Sequence, residues 1–202
     1  GVLEEVDDDR AADMYEWAEE RVDRAGYQHY EISNWARPGR ESRHNLVYWR
    51  NQPYLGLGAA AHSWWRPDWA QSGRRWANVD DPAAYIARLS SSPSCTAGCS
   101  QSERGGTRGG SPAALEVQEI DRQTEMSETM MMGLRLLREG VPEARFRQRF
   151  GVSMGEVYGD EIEAAVAEGL LERAIHEGQP CVRLTRRGHL LGNRVFERFV
   201  GE

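Results

Sequence analysis

The chain has 202 residues, 40% of them hydrophobic and 28% charged, with a mean hydropathy of −0.68 and a net charge of −7. Those proportions describe an ordinary globular protein of one large or two small domains. They exclude collagen-like, wholly disordered and membrane-spanning chains, since no run reaches the ~18 apolar residues a transmembrane helix needs.

The start, Gly1-Val2-Leu3-Glu4-Glu5, has no initiator Met, basic region or apolar run, which excludes a signal peptide and reads as a piece of a longer chain. Ala11, Met14, Tyr15, Ala18, Val22 and Ala25 then recur at spacings of three and four, which predicts an amphipathic helix. Asp7, Asp8 and Asp9 supply its cap and complement its dipole, and Gly26 can take the left-handed position that ends it. Residues 27–33 read as a strand. Residues 54–58 are a second extended candidate, ending in Ala59-Ala60-Ala61, where small side chains admit a close neighbour. Helix, strand, loop and strand are the grammar of an α/β fold.

All seven Trp lie at or before Trp76, and after a short helix at residues 82–89 the composition changes. Residues 90–114 are rich in Ser, Gly and Pro, with too few apolar side chains to offset the entropy of ordering them, and read as a linker or insertion. A second module runs from residue 115 to residue 202. Met126, Met130, Leu134 and Leu137 share a helical face that Gly140 terminates, and the default role of its methionines is core, with a soft partner surface the alternative. Pro142 opens a short helix with Phe146 and Phe150, and Ser153 with Glu156 makes a capping box for another. Two apolar runs around Glu177-Gly178-Gln179-Pro180 read as a hairpin, and Thr185 caps a final helix carrying Leu190, Val195, Phe196 and Phe199. Helices, a hairpin and a last helix make this module winged-helix-like.

All 25 basic residues are Arg, and charge is uneven: residues 1–31 carry −8, residues 32–110 carry +5 and residues 111–202 carry −4. The middle third is the part that attracts anions. Its densest stretch runs from Tyr30 to Arg50. Pro38 and Gly39 force a loop, Trp35, Tyr48 and Trp49 offer flat apolar faces, Arg37, Arg40, Arg43 and Arg50 offer fixed charge, and His44 offers a ligand nitrogen. A planar dianionic macrocycle with a central metal suits all of them, because imidazole ligates haem iron and guanidinium groups pair with propionates. The competing reading makes the aromatics core, His44 a loop residue and the arginines a solvated surface. His29, His176 and His189 have no ligand-like spacing.

The text HYEISNWARPG, then HNLVYW, then YLGLGAAAHSW resembles the later part of the haem chaperones among radical S-adenosylmethionine proteins, relatives of oxygen-independent coproporphyrinogen III oxidase. Residues 126–137, REGV and LTRRGHLLGNRVF resemble the C-terminal domain of that family. The resemblance implies that His44, Asn45, Tyr48 and Trp49 are the haem-binding motif, with His44 the axial ligand of the iron. It also implies an α/β fold in which residues 1–89 complete a partial (β/α) barrel, with Gly56, Gly58 and His62 beside S-adenosylmethionine, and residues 115–202 form the C-terminal domain. By itself, glycine at alternate positions more often marks a bulge or tight packing, and His62 more often a structural histidine.

The family holds a [4Fe-4S] cluster through C-x3-C-x2-C, and this chain shows only Cys95 and Cys99 at the first spacing, with Ser102 in the third place and Cys181 far away. No cluster ligands are therefore assigned, and this stretch of sequence is expected not to cleave S-adenosylmethionine alone. Three cysteines also fit a reducing, cytoplasmic setting rather than a disulfide framework. The expected function is haem binding and transfer to a haem-requiring partner, with peripheral membrane association open. The enzymatic alternative is oxidative decarboxylation of coproporphyrinogen III. A remoter one is nucleic-acid binding by the winged module through Arg145, Arg147 and Arg149, which the −4 charge of that module opposes.

Overall fold

A computed structural model of the chain describes residues 7–66, 72–91 and 111–200. Helix α1 (Asp8–Arg24) forms where the apolar spacing predicts it; Asp7 is the cap, its side chain accepting from the Arg10 N–H, and Gly26 follows at φ 80°. The single strand expected at residues 27–33 is instead a tight hairpin. β1 (Gln28–Glu31) turns through Ile32 and Ser33 into β2 (Asn34–Ala36), with a register shift between His29 and Glu31. The turn stays close to the rest of the fold because the Ile32 N–H donates to the Arg135 carbonyl and the Leu137 N–H to that of Tyr30. Helix α2 (Arg43–Trp49) comes next, capped by Ser42, whose hydroxyl accepts from the Asn45 N–H.

The extended segment expected at residues 54–58 reduces to one bridge, Tyr54 with Trp64. Gly58 at φ 105° and Ala60 at φ 58° turn the backbone away from a strand. The sheet that forms here is antiparallel, in the order β3 (His62–Trp65), β4 (Gly73–Asn78), β5 (Ala114–Ile120). Trp64, Trp76 and Ile120 are buried in it, and helix α3 (Pro82–Ser91) lies between β4 and β5 in the chain. Ala114 and Leu115 thus begin a strand, and the helix starts only at Arg122. Of the expected linker, residues 92–110 lie outside the described residues, as do Cys95, Cys99 and Ser102.

Helix α4 (Arg122–Gly133) is followed by β6 (Val141–Pro142), α5 (Glu143–Phe150) and α6 (Met154–Ala167), the last carrying the capping box of Ser153 and Glu156. β7 (Leu171–His176) and β8 (Gln179–Leu184) form the expected hairpin, turning at Glu177 and Gly178, and the small sheet has the order β6-β8-β7. The final helix is broken into α7 (Arg186–Leu190), which Thr185 caps, α8 (Gly192–Phe196) and a 3-10 turn at Glu197–Phe199. One core gathers Met126, Met130, Leu134, Phe146, Phe150, Ile162, Leu171, Leu184, Val195 and Phe199, which places the apolar face of α4 inside rather than at a partner surface.

The fold is mixed α/β and divides into two compact units, residues 1–51 with 126–202, and residues 52–125. Among the described residues no helix is long and apolar enough to cross a membrane.

Candidate functional site

The four residues expected to form the haem motif fall together on α2, because positions i and i+4 of a helix share a face. His44 and Tyr48 form one such pair, their rings edge to face at 4.9 Å, with His44 exposed and Tyr48 half-buried. Asn45 and Trp49 form the next pair around the helix.

Three contacts within the first unit hold the end of α2. The guanidinium of Arg135 lies 4.5 Å from the centre of the Trp49 ring and 5.9 Å from that of Phe196, a cation sandwiched by two aromatic faces. Arg50 grips Glu139 in bidentate fashion, Nη2 at 2.7 Å and Nε at 3.1 Å from Oε2, and Arg145 donates to the other oxygen. Asn51, buried and held at φ 47°, donates to the Thr129 hydroxyl at 3.1 Å. Trp49, Arg50 and Asn51 thus fasten α2 inward while His44 stays at the surface. Sequence reading gave no role to the anchors Thr129, Arg135 and Glu139, the first within α4 and the other two just beyond its end.

Burial alone pushes the Glu139 carboxyl up, but the hydrogen bond from Arg50 and the charges of Arg145 and Arg50 together outweigh it and hold the group below the usual carboxylate range. A carboxylate depressed in the folded state stabilises the fold above its unfolded value of about 4.3 and loses that contribution as pH falls through the folded value. Glu139→Gln is therefore expected to cost about 1–2 kcal/mol at pH 7. Urea denaturation of both proteins should show the difference shrinking in acid below about pH 4.

Of the four arginines near the motif, Arg50 is committed to Glu139, and Arg37 lies over the Tyr27 ring at 5.5 Å. Arg40 and Arg43 are exposed, with no ion pair among the described residues. Of the arginines of α5, exposed Arg145 pairs with Glu139, exposed Arg147 lies 3.7 Å from Glu143, and buried Arg149 donates to the Arg50 carbonyl, so all three are engaged within the chain.

Gly56, Gly58 and His62 belong to the second unit. A Cβ on Gly56 would stand 2.1 Å from the His62 carbonyl oxygen, so the missing side chain admits this chain's own backbone. Asn78 donates to the carbonyls of Gly56 and Gly58, and Tyr85 accepts from the Gly58 N–H, while the His62 ring is exposed. Gly56 also lines a cleft of about 510 Å³ with Leu55, Leu57, Trp65, Trp76 and Tyr85.

Cys181 is buried in β8, and its thiol is pushed up by that burial, the reverse of what an iron-binding thiolate needs. The described residues do not fit an iron–sulfur cluster. A separate group that sequence spacing did not reveal, Glu19, His29 and His189, converges within the first unit.

Residues 120–191 match the family model described as the HemN C-terminal domain. Over 194 residues the chain is 32% identical to heme chaperone HemW of Bacillus subtilis, covering 96% of this chain and 44% of that protein. It is likewise 32% identical over 201 residues to heme chaperone HemW of Mycobacterium tuberculosis, covering 100% and 42%. Among solved structures, coproporphyrinogen III oxidase (HemN) from Escherichia coli, a radical SAM enzyme, aligns with a TM-score of 0.58 at 14% identity over 96% of this chain and 42% of that one, a likeness of fold. The chain as a whole is similar to heme chaperone HemW proteins, and it spans less than half the length of the curated relatives it matches.

Proposed function

We propose that this chain carries the haem-binding part of a haem chaperone of the radical S-adenosylmethionine superfamily, one that passes haem to a haem-requiring protein. The observation that carries the reading is the His44 imidazole. It is exposed at the surface of a helix whose far end is fastened by Trp49, Arg50 and Asn51, so a ligand nitrogen is presented on a fixed support.

Haem is the cargo. In this reading His44 ligates its iron, Tyr48 packs edge-on against the imidazole and limits its rotation, and Asn45 and Trp49 shape the flank. Arg40 and Arg43 are the cations left to meet propionates, since Arg50 is already paired. The proposed acceptor is a protein that requires haem, and the names of the HemW relatives support the transfer.

The wider architecture we infer is a partial (β/α) barrel ending near residue 89 and a winged-helix-like domain from residue 115. The β7–β8 hairpin supports the winged module. Gly56, Gly58 and His62 would then stand near S-adenosylmethionine in a whole protein, a reading supported by the cleft beside Gly56.

Haemin titrated into the chain and followed by Soret absorbance tests the central claim. Saturable binding is expected, and His44→Ala is expected to weaken it by about tenfold or more, a loss of at least ~1.4 kcal/mol. Equal binding by both folded proteins would remove His44 from the site.

A further inference from the structure

Three ligand-type side chains, distant in sequence, meet in the first unit away from α2. Glu19 lies on α1, His29 on β1 and His189 on α7, and one oxygen or nitrogen from each stands within 4.8 Å of the others. His29 Nδ1 is 2.7 Å from Glu19 Oε1, and His189 Nδ1 is 3.5 Å from the same oxygen. Their side chains keep only 12–15% of their exposure.

The far side of His29 fixes what its near side offers. His29 Nε2 faces the Ile32 carbonyl at 3.0 Å, and the Tyr15 hydroxyl donates to that same oxygen at 3.1 Å. The Tyr15 hydroxyl also lies 3.4 Å from Nε2; the tautomer with its proton on Nε2 serves the Ile32 carbonyl and turns the Nδ1 lone pair toward the Glu19 carboxylate. A lone pair against a carboxylate oxygen needs a cation between them, either a second proton or a metal ion.

His189 favours the metal. Its Nδ1 is buried and makes no hydrogen bond among the described residues. His189 Nδ1 instead stands 3.5 Å from Glu19 Oε1, a separation that leaves room for a metal ion. A second lone pair is thus aimed at the oxygen that His29 already faces.

We propose that Glu19, His29 and His189 form a binding site for a divalent transition-metal ion of the zinc class, with two imidazole nitrogens and one carboxylate oxygen as ligands. Two nitrogens and an oxygen suit zinc, and a ligating histidine characteristically gives its other N–H to a carbonyl, the place the Ile32 oxygen takes 3.0 Å from His29 Nε2. Trp35, stacked on His29 at 4.1 Å and 10° between planes, sets the plane of that ring. Arg186 lies 3.9 Å from the second oxygen of Glu19, which leaves Oε1 for the metal. Metal–ligand bonds of about 2.0–2.2 Å in a tetrahedron put ligands about 3.4 Å apart. The 3.5 Å separation from His189 matches, and the 2.7 Å separation from His29 must widen. A cleft of about 650 Å³ lined by Tyr15, Arg187 and His189 gives the ion a way in and leaves the fourth position to water.

The test is equilibrium dialysis of the chain against Zn2+, with Co2+ as a spectroscopic probe. One equivalent of either ion is expected, the Co2+ form showing the intense visible bands of four-coordination. His189→Ala and Glu19→Gln should each lower Zn2+ affinity at least tenfold, while His176→Ala binds as the parent does. On the unaltered chain, Zn2+ should shift the imidazole proton resonances of His29 and His189 and leave those of His62 unmoved, a readout independent of whether the variants fold. Absence of stoichiometric Zn2+, undiminished binding by both folded variants, or shifts confined to other histidines would overturn the assignment.

Discussion

Arg66→Met is expected to destabilise the second unit by about 3–5 kcal/mol, because it takes the bidentate guanidinium from a buried carboxylate. Arg66 Nη1 donates to both oxygens of Glu125 at 2.6 Å, and the two side chains are only 6% and 1% exposed. The pair itself adds little net stability, since both charges have left water to form it. Removing one partner exposes the full desolvation cost of the other. Glu125→Gln should therefore do comparable harm, and Arg66→Met combined with Glu125→Leu should recover most of the loss. Urea titration monitored by amide hydrogen exchange in β4 measures both. Single variants no worse than the double variant would show that the pair is not isolated from solvent.

Gly140→Ala is the second large effect, about 2–4 kcal/mol, and two penalties combine in it. Gly140 sits at φ 58°, and an added Cβ would lie 2.2 Å from the Val182 carbonyl oxygen and 2.7 Å from the Arg183 Cβ. Neither the backbone of a paired strand nor a Cβ can swing aside. Gly151→Ala separates the terms, since Gly151 has φ 70° and open space around it, and should cost only about 1 kcal/mol. Thermal unfolding of the two variants gives the comparison. Because Gly140 follows Glu139, its substitution should also weaken the clamp on Arg50, and with it the support of α2.

Elements governed by neighbours in sequence were legible in advance. The cap of α1, the capping box of α6 and the turn at Glu177-Gly178 each depend on side chains within a few residues. The sheet of β3, β4 and β5 was not, for a physical reason. β4 pairs with β3 and with a strand far along the chain, and Ala114, Val117 and Ile120, the less exposed residues of β5, stand three apart as they would in a helix. Tyr54 to Gly58 looked extended by composition, but the positive φ angles at Gly58 and Ala60 are set by bonds to Asn78, Tyr85 and Val79 that no local pattern announces.

The α2 residues were legible as a motif rather than as a helix. Their chemistry and resemblance singled out His44, Asn45, Tyr48 and Trp49, while the Ser42 cap that makes the segment helical went unread. Charge suggested four arginines for an anion and could not show that Arg50 already had its carboxylate. Glu19, His29 and His189 were invisible for the same reason, since spacing along the chain says nothing of three elements that fold together.

The absence of lysine has a further consequence for the contacts that hold α2. A guanidinium keeps its proton at any pH a protein survives and is no target for acetyltransferases or amine-directed reagents. The anchors built on Arg50, Arg135 and Arg145 therefore have no release on the alkaline side. Arg50 and Arg145 let go only when Glu139 takes up a proton, and the hold of Arg135 on Trp49 does not titrate at all.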